Sequence, residues 1–204
     1  MTATGLLSEP ELYERVDRLA ALDRPSPSAD ALSAAERIPG ELRALPGVRV
    51  VLLSAGAEES HQEGMLAFAA RHFGALPPER THVICLDTLG SPRLALIEGE
   101  GMLRVKDYPE VVRELVQRCA DEAGVHLHRG LRFRNTTDGV VALRAGYPCA
   151  SIGSVDEFKV PSEYHWPTDT PDRVDYSRVA DAARLCLRLV DRLGQEVTRL
   201  DSSR

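Results

Sequence analysis

Two adjacent carboxylates, Glu58 and Glu59, follow a short apolar run at residues 48–53. The run is rich in β-branched residues and lacks helical periodicity, which predicts a strand buried on both faces. Residues 60–63 read Ser-His-Gln-Glu, the S-x-x-E pattern of a capping box, and predict the start of a helix. Ligands of open α/β sheets bind at such strand-to-helix turns, and two acids held there repel each other unless a cation or a proton joins them.

Two other side chains that could take part in chemistry, a carboxylate and an imidazole, also lie at a predicted strand end or in a predicted loop. Asp87 ends a second apolar run at residues 81–87, and His165 lies in a polar loop at residues 154–171. Loops of this length inside a compact domain are usually functional. Carboxylates and an imidazole suit zinc, and a further carboxylate could activate water at the metal. Spacing alone is weak evidence for such a site, because acids often follow strands and a single histidine is usually a surface residue.

The rest of the sequence predicts the strands and helices that position these side chains. Strands and helices alternate, which predicts a three-layer α/β fold with a mainly parallel mixed sheet and helices on both faces. Residues 1–204 form one domain, with N-terminal helices in 1–46 and the sheet, the site loops and the C-terminal helix in 47–200. Further strands are expected at residues 94–97, 131–134 and 148–153, and a helix at 137–145.

Two later helices are amphipathic, and their apolar stripes predict which residues face the core. The first begins at Asp107 or Pro109, and its inward residues are expected to be Val111, Val112, Leu115, Val116, Cys119 and Ala120. The second is capped by Asp175 and runs from Tyr176 to Val197, with an expected stripe of Val179, Ala183, Cys186, Val190, Leu193 and Val197.

Composition excludes several classes of function. The chain of 204 residues has a net charge of −6 without a long run of either sign, which argues against nucleic acid as a partner. No apolar run is long enough to span a bilayer, so no membrane partner is expected. The N-terminus lacks the pattern of a signal peptide, and the four cysteines are far apart without a CxxC pair. We therefore expect a cytoplasmic protein with reduced, buried thiols.

The order of the candidate segments and their short sequence motifs resemble those of a known family. The matching words are Ala-Glu-Glu at 57–59 with Gly-Met at 64–65, Leu-Asp-Thr-Leu-Gly at 86–90, Thr-Asp-Gly at 137–139, Ala-Gly-Tyr-Pro at 145–148 and Tyr-His-Trp-Pro-Thr-Asp-Thr-Pro at 164–171. They resemble the clan MH zinc metallopeptidases of the aminopeptidase Y and glutamate-carboxypeptidase-like type, to which the glutaminyl cyclases are related. The resemblance covers more than half of the chain.

The resemblance implies a role for each matching residue. Glu58 is expected to be the general base, taking a proton from metal-bound water and later passing it to the leaving amine. Glu59 and His165 are expected to bind one zinc, and Asp87 the other. Asp138 falls where the family has a Ser-Asp-His word and is expected to support the site from behind the ligands, with helix capping as the alternative interpretation.

The chain departs from the family ahead of Glu58. The family has an earlier His-x-Asp strand whose histidine binds zinc, followed by an Asp-x-x-Ser-Gly segment whose aspartate bridges both metals. This chain has no histidine before His61, and Ser28 falls at the position of the bridging aspartate. The N-terminal strands are therefore expected to be missing. Five other histidines are candidates to complete the site: His61, His72, His82, His126 and His128.

Three functions remain open on this reasoning. The first is a zinc-dependent aminopeptidase acting on peptide substrates, with two zinc ions in the family and one or none expected here. The second is a non-catalytic binding or assembly module. The third is a cyclase-like acyltransferase that uses one zinc. Loss of the early strands would leave a sheet edge uncovered near residues 48–54, which predicts a homodimer or poor solubility.

Overall fold

The computed structural model describes residues 49–202, with side chains to residue 195. The helices predicted within residues 1–46 lie outside the described residues. Within the described part, no helix combines the length and the apolar character needed to cross a membrane. Its four cysteines are free thiols, of which Cys119 and Cys149 are buried and the other two half-buried.

The described elements alternate as the sequence predicts. The strands are β1 Val83–Leu86, β2 Arg93–Glu100, β3 Lys106–Asp107, β4 His128–Phe133 and β5 Cys149–Val155. The helices are α1 Glu63–His72, α2 Glu110–Glu122, α3 Gly139–Arg144 and α4 Tyr176–Ser202, with 3₁₀ turns at Phe73–Ala75, Pro78–Arg80 and Pro171–Arg173. The segment between β5 and the last turn is an irregular loop, in agreement with the prediction for residues 154–171.

The five described strands form one mixed sheet in the order β1-β5-β2-β3, with β4 also paired to β2. β1 runs parallel to β5 and β4 runs parallel to β2. β2 is antiparallel to both β3 and β5. The predicted mixed α/β class is confirmed, although parallel and antiparallel pairings are equally numerous among the described strands.

Helices cover both faces of the sheet, which makes the expected three layers. Ala150 and Ile152 of β5 pack in one core cluster with apolar side chains of α2 and α4. Cys149, on the opposite face because side chains alternate along a strand, packs in a second cluster with α1 and α3. β5 is buried at every position, as expected for a strand sandwiched between two helical layers.

The strand predicted at residues 48–53 is wrong for the part that the structure describes. Residues 49–53 have no strand pairing, and the side chains of Val51, Leu52 and Leu53 are 50%, 40% and 44% exposed. An apolar β-branched run becomes a strand only when a neighbouring strand accepts its backbone hydrogen bonds. The described residues provide no such neighbour for this run.

Local patterns also misplaced some helix boundaries and faces. α1 begins at Glu63 rather than at Ser60, and its N-cap Gln62 makes no capping hydrogen bond. In α2, five predicted inward residues are buried, but Val111 in the first turn is 80% exposed. In α4, the most buried apolar side chains are Ala180, Ala182, Leu185 and Leu189, offset from the predicted stripe. The Asp175 cap is confirmed, because its Oδ1 accepts a hydrogen bond from the Ser177 amide at 3.1 Å.

Candidate active site

The paired glutamates sit in a backbone loop that closes on itself between residues 56 and 64. The Gly64 amide donates to the Gly56 carbonyl at 3.1 Å, and the Gln62 amide donates to the Glu58 carbonyl at 2.8 Å. Ala57 has a left-handed φ of 55°, which turns the chain so that the next two side chains project from the loop. Non-glycine residues rarely adopt this conformation, and such residues cluster at functional sites.

Close approach of two backbone segments holds this loop shut. A Cβ atom on Gly64 would lie 2.2 Å from the carbonyl oxygen of Gly56. Only glycine therefore fits at position 64. The buried side chain of Gln62 adds a second restraint, because its Nε2 lies 3.3 Å from Glu58 Oε1 and donates to Thr136 Oγ1 at 3.1 Å. Gln62 thus links the candidate base to the turn that precedes α3.

Asp87 follows β1, at the end of the strand where the parallel partner β5 also ends. Its amide donates to the Ile152 carbonyl at 3.1 Å, which extends the pairing with β5 by one residue. The next residue, Thr88, has a left-handed φ of 49°, and its carbonyl accepts hydrogen bonds from the amide and hydroxyl of Ser154. Burial, followed by the negative charge of Glu58, raises the pKa of Asp87, and Glu59 adds to the effect. Asp87 therefore faces the paired glutamates.

His165 reaches the same place from the long loop. Its Nε2 lies 2.7 Å from Glu59 Oε1, and both side chains are largely exposed. The imidazole stacks on the ring of Tyr164 with 3.9 Å between the ring centroids. Burial and the charges of Glu59, Asp87 and Glu58 raise the pKa of the Tyr164 hydroxyl. The ring of Tyr164 is therefore part of the site, and it fixes the orientation of the imidazole.

Asp138 is the fifth predicted residue that the structure brings to this region. Its side chain makes no capping hydrogen bond to α3, so the capping interpretation is wrong; Thr137 Oγ1 accepts the Gly139 amide instead, at 3.2 Å. Oδ1 of Asp138 is buried without a hydrogen-bond partner. Burial, with the charges of Glu58 and Asp87, raises the pKa of Asp138 to about 6.

A buried polar network fixes the turn that carries Asp138. The carboxylate of Glu100, 1% exposed, accepts hydrogen bonds from the Tyr108 hydroxyl at 2.6 Å and from the amide and hydroxyl of Thr137 at 3.1 Å each. Burial raises the pKa of Glu100 despite these donors. Because Thr137 immediately precedes Asp138, this network determines where the Asp138 carboxylate lies.

The donor types at this site fit a zinc ion. The negative charge of Glu58 helps to raise the pKa values of Asp87 and Asp138, and a bound cation would relieve that repulsion. Glu59 and His165 contact each other and supply a carboxylate oxygen and an imidazole nitrogen, both ordinary zinc ligands. However, across the described residues no group of three or more histidine, cysteine, aspartate or glutamate side chains is arranged to hold a metal ion.

Glu59 and His165 contact each other, whereas Asp87 belongs to no group of three or more possible ligands within the described residues. None of the candidate substitutes, His61, His72, His82, His126 and His128, completes a group of three within the described residues. His126 and His128 instead contact each other, with 4.8 Å between ring centroids.

Sequence reasoning assigned no role to three residues of this site: Tyr164, Gln62 and Thr137. Tyr164 and Thr137 lie inside motifs that match the family. Each is the direct sequence neighbour of a predicted site residue, His165 or Asp138, and this position could have indicated a role. Gln62 had no such signal, because its contact with Thr136 joins residues 74 apart in the sequence.

Comparison with known proteins gives one family match. The model of peptidase family M28 matches residues 8–190 of the chain. A search of curated proteins finds no match.

Solved structures with a similar fold include two glutaminyl cyclases and a zinc aminopeptidase. The glutaminyl cyclase of Porphyromonas gingivalis is 19% identical with a TM-score of 0.50, over 68% of this chain and 51% of that protein. An Acidobacteriales bacterium glutaminyl cyclase is 16% identical with a TM-score of 0.49, over 65% and 46%. The Bacillus subtilis aminopeptidase is 21% identical with a TM-score of 0.46, over 62% and 31%. This chain thus spans about half or less of each protein, and the likeness at such identities concerns the fold.

Proposed function

Because the chain belongs to peptidase family M28, we propose that it is a zinc-dependent hydrolase that removes residues from the N-terminus of peptides. The observation that carries the proposal is the convergence of Glu58 and Asp87 with the contacting pair of Glu59 and His165 at one edge of the sheet. The family supports hydrolase chemistry in general. The aminopeptidase activity, the peptide substrate and the roles of individual residues are our proposal.

Each side chain has a distinct task in this proposal. Glu59, His165 and Asp87 would hold zinc, which when bound supplies positive charge that polarises the scissile carbonyl and lowers the pKa of water. Glu58, next in sequence to one ligand and held by Gln62, takes the proton of the attacking water and gives it to the leaving amine. Asp138, whose pKa is raised by burial and by the charges of Glu58 and Asp87, supports the site from behind the ligands.

A single-zinc glutaminyl-cyclase-like acyl transfer is the second candidate. The specific observation in its favour is that Glu59 and His165 form one contacting carboxylate–imidazole pair, whereas Asp87 has no such partner among the described residues. In that reaction the N-terminal amine of a glutaminyl peptide attacks its own side-chain carbonyl and ammonia leaves. Glu58 would then move the proton from the attacking amine to the leaving ammonia.

One assay distinguishes the two reactions. The purified chain, supplied with zinc, is incubated with a peptide that begins with glutamine and with a panel of aminoacyl-aminomethylcoumarins. Mass spectrometry separates loss of the first residue from loss of ammonia, and fluorescence reports amine release from the panel. Release of the N-terminal residue supports the peptidase, whereas ammonia loss without hydrolysis supports the cyclase. Zinc binding without either product would support the non-catalytic module instead.

Glu58→Gln is the matched control for either reaction. Glutamine keeps the size and hydrogen-bonding capacity of the side chain but cannot accept the proton. We expect turnover to fall by about 10²-fold or more, with circular dichroism and zinc content unchanged. Turnover that survives this substitution would show that Glu58 is not the base.

A further inference from the structure

A cavity of the described chain, of about 480 Å³, is lined by residues between the end of β2 and the start of β3 and by two residues of α3. Gly101 begins this connection with a positive φ of 151°, and a Cβ atom there would lie 2.2 Å from the carbonyl oxygen of Arg104. This close approach folds the connection tightly, so that the side chains of Arg104 and Lys106 both line the cavity. Arg144, the last residue of α3, lines it from the opposite element.

Three cationic side chains therefore border one concave surface of a protein whose net charge is −6. Arg104 and Arg144 make no ion pair with any acid of the described residues. Lys106 Nζ donates to the Leu143 carbonyl at 3.0 Å, which anchors the ammonium group and leaves its other two N–H groups available. Like charges placed together repel, and binding of an anion relieves that repulsion.

The acids closest to this cavity are already engaged. Glu100 lines the cavity, but its carboxylate accepts hydrogen bonds from Tyr108 and Thr137 and its side chain is almost fully buried. Asp107, next to Lys106 in the sequence, forms a two-point ion pair with Arg132 at 2.8 and 2.9 Å. Arg132 neutralises Asp107, and Glu100 forms no ion pair within the described residues. Three cations therefore border the cavity with a single carboxylate, which leaves a surplus of positive charge.

We propose that this cavity binds a small organic phosphate monoester. Guanidinium groups bind phosphate oxygens in pairs of parallel hydrogen bonds, and two arginines with one lysine match the double negative charge of the monoester. Val105, which is half-buried, contributes apolar surface that contacts the organic part of the ligand. The volume exceeds that of a phosphate group alone, which favours an esterified over an inorganic phosphate.

Isothermal titration calorimetry with glycerol 3-phosphate tests the proposal on the intact chain. We expect saturable binding, with a Kd of about 1 mM or below, and no binding of glycerol. Arg104→Gln and Arg144→Gln should each weaken binding about tenfold, since each removes charged hydrogen bonds to the ligand. Arg118→Gln, an exposed arginine of α2 outside this cavity, makes the same charge change and should alter the Kd by less than about twofold.

Three results of these titrations would overturn the proposal, and a fourth comes from a variant of the proposed active site. The first is absence of saturable binding to the wild-type chain. The second is equal weakening by Arg118→Gln, which would indicate non-specific charge attraction. The third is tighter binding of succinate than of glycerol 3-phosphate, which would assign the cavity to dicarboxylates. Glu59→Ala provides the separation from the proposed active site: binding should persist in this variant, and its loss there would place the phosphate at the zinc ligands instead.

Discussion

His165 Nε2 lies 2.7 Å from Glu59 Oε1, although the two residues are 106 positions apart in the sequence. Both side chains are more than half exposed, at 60% and 67%. A polar contact this exposed contributes little to stability, typically about 0–1 kcal/mol, so stability alone gives little reason for the contact. A shared cation would give the pair a function, because both atoms are ordinary zinc ligands.

Removing either partner should therefore reduce zinc affinity. We expect Glu59→Gln and His165→Ala each to weaken zinc binding by at least about tenfold, and the double variant to lose less than the product of the two effects, because both act on one ion. Competition with a chromophoric chelator measures the affinity. Glu79→Gln, an exposed acid of the turn at Pro78–Arg80, is the matched control. A double variant whose fold loss in zinc affinity equals the product of the two single losses would contradict a shared ion. An equal loss of affinity in the Glu79→Gln control would contradict it as well.

The closed loop at residues 56–64 gives a second prediction. Gly64→Ala places a methyl group within 2.2 Å of the Gly56 carbonyl oxygen, so the backbone on both sides must move. We expect a loss of about 1–3 kcal/mol in unfolding free energy and displacement of Glu58 and Glu59. Urea denaturation and zinc affinity report the two effects.

Gly74→Ala is the control for this substitution, because a Cβ atom at Gly74 meets no atom within 4 Å. Its unfolding free energy should stay within about 0.5 kcal/mol of the wild type. Similar behaviour of the two alanine variants would show that the loop adapts and that close approach at Gly64 is unimportant.

The sequence correctly predicted those strands and helices whose pattern of apolar residues is visible within a single segment. The buried run of β5 and the apolar stripe of α2 reflect periodicities that a single segment displays, and the structure shows both. Predictions failed where the structure of a segment depends on residues outside that segment or on its backbone conformation. Residues 49–53 have strand-like composition but no strand pairing in the described chain, and Ser60 is not a cap because His61 and Gln62 adopt left-handed conformations with φ of 62° and 59°.

The candidate site was identified from short sequence motifs that resemble a family, and not from the spacing of its residues. The segments that carry Glu58, Asp87 and His165 matched a family, and the structure brings these segments to one place. Local rules also misassigned the cap of α3: Asp138 is the favoured capping type at the right position, yet Thr137 performs that task. The difference arises because Glu100, a residue 37 positions earlier, orients Thr137. No local pattern contains such a long-range contact.

The sheet edge that β1 leaves unpaired among the described strands predicts self-association. Among the described strands, β1 ends the sheet and pairs on one side only, with β5. Val51, Leu52 and Leu53 are exposed in the same chain, and exposed apolar segments and free strand edges both favour association. We expect a homodimer whose population rises with concentration, measured by light scattering coupled to size exclusion.

A double substitution, Val51→Lys with Leu53→Lys, should shift this equilibrium toward the monomer by placing charge on the apolar segment. Leu103→Lys is the control, because Leu103 is 99% exposed in the connection between β2 and β3. A wild-type chain that remains monomeric at high concentration would rule out the predicted dimer.

The buried Asp138 carboxylate makes stability depend on pH. Its pKa is raised by burial and by Glu58 and Asp87, from an ordinary value of 3.8 to about 6. The folded chain thus binds this proton more tightly than the unfolded chain, so the group favours folding below about pH 4 and this contribution is lost as the pH rises through about 6. Asp138→Asn, which cannot ionise, should therefore be more stable than the wild type at pH 7 when metal is removed by a chelator.

The expected gain is on the order of 1 kcal/mol at pH 7, because water screens the charge of this half-buried carboxylate. It should shrink as the pH falls and vanish only well below the ordinary pKa of 3.8, where the wild-type carboxyl is protonated in both states. Urea denaturation at several pH values measures the difference. Asp191→Asn, the same change at a half-exposed position of α4, is the matched control. A wild-type chain that is more stable than Asp138→Asn at pH 7, with metal absent, would show that Asp138 is stabilised as an anion, and the proposed repulsion from Glu58 and Asp87 would be wrong.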